Sequence, residues 1–352
     1  MNNKRVTIQD IADALGISRN TVSKAINNSE GISEATKERI LKKAIEMDYK
    51  QFSYVSAMTG IDTLGVLPGS ENRQKMTGEI AVLTLAYIPN NNFASMMLDR
   101  LQEELSLLGM QMIVYRVSEE HIRNRTLPRA LNINRVKGLI LAELFDMDYC
   151  EMISSYQIPT LMIDGPYRLK SKPLSTDLLM MDNTTEISVF VRTMIRRGLK
   201  RIGFIGDITH CKSFYERYCA YTMSMISAGI PIESKFIITP KDKDIDSLGD
   251  SLDNLDEMPD VFICVNDFVA IEVMQLLSQK DKKLPGRVRI LGFDDSHESR
   301  IFYPSLSTVH IHSQSMAFSA LHLLVSRIKE PRMDPRVIYV STDLILREST
   351  EY

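Results

Sequence analysis

The stretch VTIQDIADALGISRNTVSKAIN, residues 6–27, predicts the structure of the N-terminal part of the chain. Thr7 stands before apolar residues at helical spacing, so the pattern predicts a first helix that Thr7 caps and that ends at Gly16. Ser18 is placed to cap a second short helix over about residues 19–27. Two short helices joined by a tight turn that contains glycine are typical of a helix-turn-helix unit.

The second helix carries side chains that suit DNA. No acidic residue lies between Ala14 and Ser29, as a surface that approaches phosphates requires. The N-terminal part of such a helix enters the major groove, where Arg19 suits guanine and Asn20 suits adenine. The short polar side chains that suit phosphates are Thr7, Thr21, Ser23 and Asn27. A third helix is predicted through about Met47, and the alternative on pattern alone is a small three-helix bundle with a solvated basic face.

The same stretch resembles the DNA-binding head of the lactose/galactose repressor (LacI/GalR) family of bacterial transcriptional regulators. The family pattern V-T-x-x-D-[IV]-A-x-x-x-G-[VI]-S-x-x-T-V-S-[RK]-x-[IL]-N matches without a gap from Val6 to Asn27, and the resemblance continues through ISEATKERI, residues 32–40. It implies that the base-reading positions are Arg19, Asn20 and Lys24. It implies that the phosphate-contacting positions are Thr7, Ser18, Thr21, Ser23 and Asn27.

The next segment, DYKQFSYVSAM at residues 48–58, departs from the family pattern of G-Y-x-P-N followed by a hinge helix A-x-x-L. Tyr49 is kept, and Met58 stands at the leucine position that wedges into the minor groove. The resemblance implies that both residues contact DNA. For Met58 this contact is chemically possible, because an apolar side chain such as Met can part a base step. The departures from the pattern are Gln51, Phe52, Val55 and Met58. Residues 59–78 form a polar, glycine-containing spacer, either a flexible tether or a functional hinge.

The composition is that of a multidomain globular protein. With 352 residues the chain is too long for one ordinary core. Its net charge is −3, but residues 1–50 hold nine Lys and Arg against seven Asp and Glu. No apolar run reaches membrane-spanning length, and no signal-peptide pattern begins the chain. The four scattered cysteines predict a reducing cytoplasm, and neither they nor the six histidines form a metal pattern, so no metal and no cofactor is expected.

From about residue 80 onward, apolar runs of strand length alternate with helical patterns. This alternation predicts parallel sheets covered on both faces, with enough strands for two doubly wound halves. Polar residues follow the strands at Asp164, Asp207, Asn266–Asp267 and Asp294–Asp295. Ligands of such sheets bind at the carboxyl ends of the strands, where carboxylates and amides pair with sugar hydroxyls and Arg217 supplies a fork of donors. The alternative is that each acid only caps a helix.

The core resembles the same family more loosely, with its landmarks in the same order. The motifs are RYCAY, ICVND, RILGFDD, YPSLSTV and LILREST, which begin at residues 217, 263, 289, 303 and 344. They imply a fold like that of periplasmic sugar-binding proteins. They also imply effector contacts at Asp164, Arg217, Asn266 and Asp294, with Phe293 as the aromatic ring on which a sugar face stacks. For Arg217 and Asp294 the alternative is a structural ion pair.

The predicted architecture is therefore an N-terminal all-α helix-turn-helix head followed by an α/β core of two doubly wound parallel-sheet subdomains. The predicted limits are residues 1–50 for the head, 51–79 for the linker and 80–352 for the core, which binds effector and dimerises. The N-subdomain is expected at about 80–179 with the helix around 313–329, and the C-subdomain at about 180–309 with the strand around 336–347.

The sequence predicts a transcriptional regulator and not an enzyme. As in the family it resembles, we expect a cytoplasmic repressor that binds a pseudo-palindromic operator in double-stranded DNA as a homodimer. A small effector, expected to be a sugar or glycoside, would shift its operator affinity. The alternatives are a solute-binding module and a sugar-active enzyme without regulatory DNA binding. The chain contains no G-x-S-x-G, P-loop or H-E-x-x-H motif, which argues against the enzyme.

Overall fold

The computed structural model describes the helix-turn-helix region and most of the core. The described residues are 7–26, 33, 36, 39–40, 43–44, 47, 77–85, 93–167, 174, 176–240, 245–280 and 287–351. The predictions for Asn27, Tyr49, Gln51, Phe52, Val55 and Met58 lie outside the described residues. The chain divides into two compact units, residues 1–77 with 104–110 and residues 78–103 with 111–352. The predicted domain limits stay predictions.

Helix α1, Ile8–Leu15, begins and ends as predicted. Thr7 Oγ1 accepts a hydrogen bond from the Asp10 backbone N–H at 3.3 Å, and the Asp10 carboxylate accepts one from the Thr7 N–H at 2.7 Å. This reciprocal pair is a capping box, and the acidic side chain also suits the positive end of the helix dipole. Gly16 ends the helix with a φ of 63°, a left-handed conformation that favours glycine.

Helix α2, Arg19–Ile26, is capped by Ser18, whose Oγ accepts a hydrogen bond from the Thr21 N–H at 3.0 Å. In the third predicted helix, Ser33 Oγ accepts in the same way from the Thr36 N–H at 3.3 Å. The helical residues described there are Thr36, Arg39, Ile40, Lys43 and Ala44. A small apolar cluster holds the head together and consists of Ile11, Ala12, Val22, Ala25, Ile40 and Ala44. This packing is that of the predicted helix-turn-helix head.

The remaining elements form the α/β core. In chain order the strands are β1 (Gly78–Thr84), β2 (Met110–Arg116), β3 (Val136–Ala142), β4 (Thr160–Ile163), β5 (Asp177–Met181), β6 (Ile202–Ile205), β7 (Ile237–Ile238), β8 (Val261–Cys264), β9 (Arg289–Leu291), β10 (Thr308–Ile311), β11 (Val337–Val340) and β12 (Thr342–Ile345). The helices are α3 (Phe93–Leu107), α4 (Glu119–Asn124), α5 (Met147–Ser154), α6 (Thr185–Arg196), α7 (Lys212–Ser227), α8 (Ile245–Asp253), α9 (Asp267–Lys280), α10 (His297–Ile301), α11 (Ser313–Lys329) and α12 (Glu348–Glu351).

The strands form two parallel sheets, as predicted. The first sheet has the order β11-β5-β4-β3-β1-β2 and the second the order β7-β6-β8-β9. In the first, β1 pairs with β3, β3 with β4, β4 with β5 and β5 with β11, all in parallel. In the second, β6 pairs in parallel with β7 and β8, and β8 with β9. Strand β10 pairs antiparallel with β12 in a separate two-stranded sheet.

One strand assignment from the sequence is wrong. The stretch 336–347 was predicted as one strand of the C-subdomain, whereas it forms two strands that belong to different sheets. Strand β11 pairs with β5 in the first sheet, with Val337 opposite Leu178. The physical reason lies at the start of β11, where the buried Asp177 carboxylate accepts hydrogen bonds from the Arg336 N–H at 2.8 Å and from its guanidinium at 2.7 Å. Asp177 is the first residue of β5, so this contact ties β11 to the edge of the first sheet.

Each of the two parallel sheets packs against its own apolar cluster. Strands β4, β6 and β8 are buried at every position, which explains why they read as unbroken apolar runs. The first core includes Leu83, Leu141 and Ile153, and the second includes Phe262 and Ile290. Within the ranges given above, no helix combines the length and the hydrophobicity needed to cross a bilayer.

Candidate functional site

The exposed face of α2 presents the predicted base-reading residues. Arg19, Asn20 and Lys24 are exposed, and the first turn of the helix holds no acidic residue. The opposite side, with Val22 and Ala25, is buried against the core of the head. A guanidinium, a carboxamide and an ammonium group therefore project away from that core, and these are the groups that pair with base edges in the major groove.

The predicted phosphate-contacting residues include the caps of both helices. Thr7 and Ser18 are exposed, and Thr21 and Ser23 are half-buried. Thr7 Oγ1 donates to Asp10 Oδ2 at 2.6 Å, and Ser18 Oγ lies 2.8 Å from Thr21 Oγ1. These hydroxyls therefore stabilise the starts of α1 and α2, and their part in phosphate contact stays a prediction.

The predicted effector residues of the core lie at the carboxyl ends of its strands. Asp164 directly follows β4, Asn266 follows β8 and Asp294 follows β9, while Arg217 lies in the second turn of α7. Four acidic residues behind strands have a positive φ, namely Glu143 (55°), Asp164 (58°), Asp294 (116°) and Asp295 (51°). Such conformations are uncommon for residues other than glycine, and they cluster at ligand sites. The positive φ angles and the polar side chains therefore indicate the same candidate ligand site, at the carboxyl ends of the strands.

Arg217 stands at the centre of this cluster and is 2% exposed. Its Nε donates to Asn183 Oδ1 at 3.0 Å, and its Nη1 donates to the Val265 carbonyl at 2.5 Å. Its Nη2 lies 3.9 Å from Asp294 Oδ1, at the limit of an ion pair. Burial lowers the pKa of the Arg217 guanidinium, and the nearby Asp294 carboxylate opposes that shift. The guanidinium is therefore fixed on two sides by the protein and faces Asp294 on the third.

The structure corrects the role predicted for Phe293. Its side chain is 0% exposed, and the Arg217 guanidinium carbon lies 3.4 Å from the centroid of its ring. A buried ring with a cation on its face offers no surface to a sugar. Phe293 instead supports Arg217 through a cation–π contact.

Two carboxyl groups of the site are held where charge is disfavoured. Burial raises the pKa of Asp294 from 3.8 to about 8, although Arg217 acts to lower it. Burial also raises the pKa of Asp164, against the hydrogen bonds that its carboxylate accepts from the Gly165 and Ser213 N–H groups at 2.7 and 3.2 Å. A carboxyl with a pKa of about 8 is largely protonated at neutral pH, so Asp294 can donate as well as accept a hydrogen bond.

The two polar residues that follow β8, Asn266 and Asp267, accept hydrogen bonds from the protein itself. Asn266 Oδ1 accepts a hydrogen bond from the Val269 N–H at 3.0 Å, at the start of α9. Asp267 is buried, and its carboxylate accepts from Thr308 Oγ1 at 2.5 Å and from the Ser296 N–H at 2.8 Å. Asn266 Oδ1 therefore caps helix α9, which is the alternative role named above for the polar residues that follow strands. Asp267 has a structural role. Asn266 is half-buried, and its contact with an effector stays a prediction.

Sequence reasoning missed four residues of the network that supports Arg217. Asn183 is fully buried, and its Nδ2 donates to Glu216 Oε2 at 2.9 Å. Glu216 Oε1 in turn accepts from the Tyr339 hydroxyl at 2.7 Å and from the Lys212 ammonium at 2.7 Å. The one usable signal was that Asn183 follows β5 closely, as the other polar residues follow their strands. Glu216 and Tyr339 carried no signal because they meet 123 residues apart in the chain.

Loops from the two sheets meet at this site. The Lys212 N–H, at the start of α7, donates to the Gly165 carbonyl behind β4 at 2.8 Å. Phe145, behind β3, packs edge-on against His210, behind β6, with ring centroids 5.1 Å apart. The candidate site is therefore built from both halves of the core.

Comparisons with family models agree with this two-part description. Residues 7–51 match the model described as bacterial regulatory proteins, lacI family. Residues 191–350 match the model described as periplasmic binding protein-like domain. The HTH-type transcriptional repressor PurR of Photobacterium profundum is 22% identical to the chain over 352 residues, with 98% of both sequences covered.

Solved structures share the fold over the whole length. The transcriptional regulator CelR in complex with cellobiose has a TM-score of 0.65 at 21% identity and covers 98% of this chain and 100% of its own. The lac repressor dimer bound to operator and the anti-inducer ONPF has a TM-score of 0.66 at 18% identity, with 99% of each chain covered. At these identities the likeness shows the fold, a helix-turn-helix head followed by a core of two parallel-sheet halves.

Proposed function

The chain belongs to the lacI family of bacterial regulatory proteins, and on that premise we propose that it is a DNA-binding transcriptional repressor whose operator affinity is switched by a small effector in the α/β core. One observation carries the proposal: a helix-turn-helix head with exposed Arg19 and Asn20 is joined in one chain to a core with a polar cluster around Arg217. Its relatives are transcriptional repressors, so the chain is a regulator and not an enzyme.

The DNA-binding half of the proposal rests on α2. Arg19 pairs with guanine, Asn20 with adenine, and Lys24 adds a third base-reading donor. The phosphate contacts that set the position of the head on the duplex come from Thr7, Ser18, Thr21, Ser23 and Asn27. Tyr49 is a further proposed DNA contact. Met58 is the proposed minor-groove wedge. Phosphate contacts make binding depend on salt, so affinities are compared at one salt concentration.

The proposed DNA-binding form is a homodimer on a pseudo-palindromic operator. One short recognition helix reads only a few base pairs, and two heads on a two-fold axis read two half-sites. The lac repressor, which shares the fold, is a dimer on its operator, and this supports the same assembly here. A repressor acts where the operator DNA is, so we place the chain in the cytoplasm.

The effector half rests on the chemistry around Arg217. Asp164 and Asp294 offer carboxyl groups near the guanidinium, Asn266 offers a carboxamide after strand β8, and such groups pair with sugar hydroxyls. A largely protonated Asp294 adds a donor without adding a charge. A structural relative binds cellobiose, which supports a sugar or glycoside as effector. The effector changes operator affinity only as far as it binds the two states of the protein differently.

Two measurements on the full-length chain test the proposal. Selection from a randomised duplex library, followed by gel retardation at fixed salt, should return a pseudo-palindromic site that is bound more tightly than random DNA. Thermal unfolding across a panel of sugars should identify an effector, since a ligand at a hundred times its Kd adds about 2.7 kcal/mol. That sugar should then change the affinity for the selected site. Equal binding to all duplexes would contradict the function as a sequence-specific repressor.

A further inference from the structure

Three aromatic side chains form a continuous row beside Arg217. The ring centroids of Phe145 and His210 are 5.1 Å apart with an interplanar angle of 72°, and those of His210 and Phe214 are 5.4 Å apart at 35°. The Phe214 ring lies 5.6 Å from the Arg217 guanidinium carbon. Phe145, His210 and Phe214 are called the aromatic row below.

The aromatic row stands at the edge where the strands end. Phe145 lies in the loop behind β3, His210 in the loop behind β6, and Phe214 in the first turn of α7. Phe145 and Phe214 are half-buried and His210 is exposed, so the row keeps surface available to a ligand. Phe293, the ring predicted to stack on a sugar, has no such surface.

Cyclic ligands present two kinds of surface. Their hydroxyl edges pair with carboxyls and guanidinium groups, and their flat apolar faces pack against aromatic rings. In this core the two kinds of partner are adjacent but distinct. The polar cluster consists of Arg217, Asp164 and Asp294, and the aromatic row continues from Phe214 to Phe145. A ligand that uses both needs a hydroxyl-bearing ring and a second ring beside it.

We propose that the aromatic row is a subsite for the second ring of a glycoside, either a sugar or an aryl aglycone, whose first ring is bound by the polar cluster. The proposal rests on the proposed function and narrows its effector class to two-ring glycosides. Phe145 belongs to the first half of the core, and His210 and Phe214 belong to the second. A ligand ring that packs on the aromatic row therefore contacts both halves of the core. Its binding favours the arrangement of the two halves seen in this structure.

Matched glycosides test this subsite on the full-length chain. The probes are methyl β-D-glucopyranoside, phenyl β-D-glucopyranoside and cellobiose, with the methyl and phenyl pairs of galactose, mannose and xylose. For at least one sugar, the phenyl glycoside or the disaccharide should bind about three- to tenfold more tightly than the methyl glycoside, as one aromatic contact provides. A preference for phenyl identifies an aryl aglycone, and a preference for cellobiose identifies a second sugar ring.

Two substitutions connect the preference to the row. Phe214→Leu and Phe145→Leu keep an apolar side chain and remove a ring, and each should bring the ratio of two-ring to methyl affinity close to one. Tyr156→Leu is the matched control, because it removes an exposed ring from the turn between α5 and β4 and should leave the ratio as in the wild type. Melting temperatures measured without sugar verify that each variant is folded. If Phe214→Leu has a much lower melting temperature than the wild type, the affinity ratio of Phe145→Leu tests the subsite instead.

Three results would overturn the subsite: equal affinity for methyl and two-ring probes, a preference that persists in both leucine variants, or no binding of any of these glycosides by a chain that still selects its operator. Failure to select an operator would contradict the proposed repressor instead, so the two failures are distinguishable.

Discussion

Asn183 and Arg217 are joined by a hydrogen bond of 3.0 Å between Oδ1 and Nε, and both side chains are buried. The same carboxamide donates to Glu216, whose other oxygen accepts a hydrogen bond from Tyr339. Asn183 follows β5 and Tyr339 lies on β11, which are neighbouring strands of the first sheet, whereas Arg217 and Glu216 lie on α7 behind the second sheet. The arginine of the candidate site is therefore connected to both halves of the core.

Arg217→Ala should reduce both stability and effector binding. The change leaves Asn183 Oδ1 and the Val265 carbonyl without their charged donor, so the free energy of unfolding should fall by about 2–3 kcal/mol in urea titrations. Sugar affinity, measured by calorimetry, should fall by about tenfold to a hundredfold. Arg192→Ala, an exposed arginine on α6, is the control and should change neither. A variant that loses stability but keeps its sugar affinity would make Arg217 purely structural.

Tyr339→Phe should weaken the network without creating a cavity. It removes the hydrogen bond to Glu216, which should cost about 0.5–1.5 kcal/mol of unfolding free energy. Combined with Glu216→Ala in a double-mutant cycle, the two changes should cost less together than the sum of their separate costs, because both remove the same contact. Strict additivity would show that Tyr339 and Glu216 do not interact in solution.

Asp294 should make the protein less stable as the pH rises through neutrality. In the folded chain its pKa is raised to about 8 by burial, whereas in the unfolded chain it lies near 3.8, so the folded state keeps a proton that the unfolded state has lost between those pH values. Stability from this group is therefore unaffected below about pH 4 and declines up to about pH 8. Urea titrations of Asp294→Asn against wild type should show the variant gaining relative stability over that range. A stability difference between the two proteins that does not change with pH would show that the Asp294 carboxyl is solvated as in the unfolded chain.

Asp295, the next residue, should have the opposite pH dependence. Burial alone would raise the pKa of Asp295, but hydrogen bonds from His310 at 2.9 Å, from Arg300 at 2.6 Å and from Arg347 lower it well below 3.8. Its contribution is therefore fully present above about pH 4 and is lost as the pH falls through the folded pKa. Asp295→Asn should be most destabilised at neutral pH and approach wild type in acid. Curves that run parallel for the two proteins would refute the assignment.

Arg19→Ala and Ser18→Ala should separate base reading from positioning. Arg19 is exposed on α2, so its loss should cost about 1–3 kcal/mol on the selected operator and relax the preference at one position. Ser18→Ala removes the cap of α2 and a predicted phosphate contact, so it should weaken binding on every sequence alike and lower the stability of the head by about 0.5–2 kcal/mol. Retardation assays on the operator and on single-base variants distinguish the two patterns.

Contacts between near neighbours in the chain were predictable from residue type and spacing. Thr7 and Asp10, three positions apart, form the capping box of α1, and Ser18 and Thr21, again three apart, form the cap of α2. Such contacts need only the right residue types at the right spacing. The placement of polar residues behind buried strands was predictable for the same reason, since the apolar runs show where each strand ends.

The roles of those polar residues depend on partners that the fold brings together from distant parts of the chain. Arg217 contacts Asn183 and Val265, which lie 34 and 48 residues away in the chain. The fold also places the Arg217 guanidinium on the Phe293 ring, so a sugar cannot stack there. Asp294 and Asp295 are neighbours of the same type, yet burial raises the pKa of the first while cationic partners lower that of the second. A carboxyl's charge depends on the groups that surround it in space, and those groups come from distant parts of the chain.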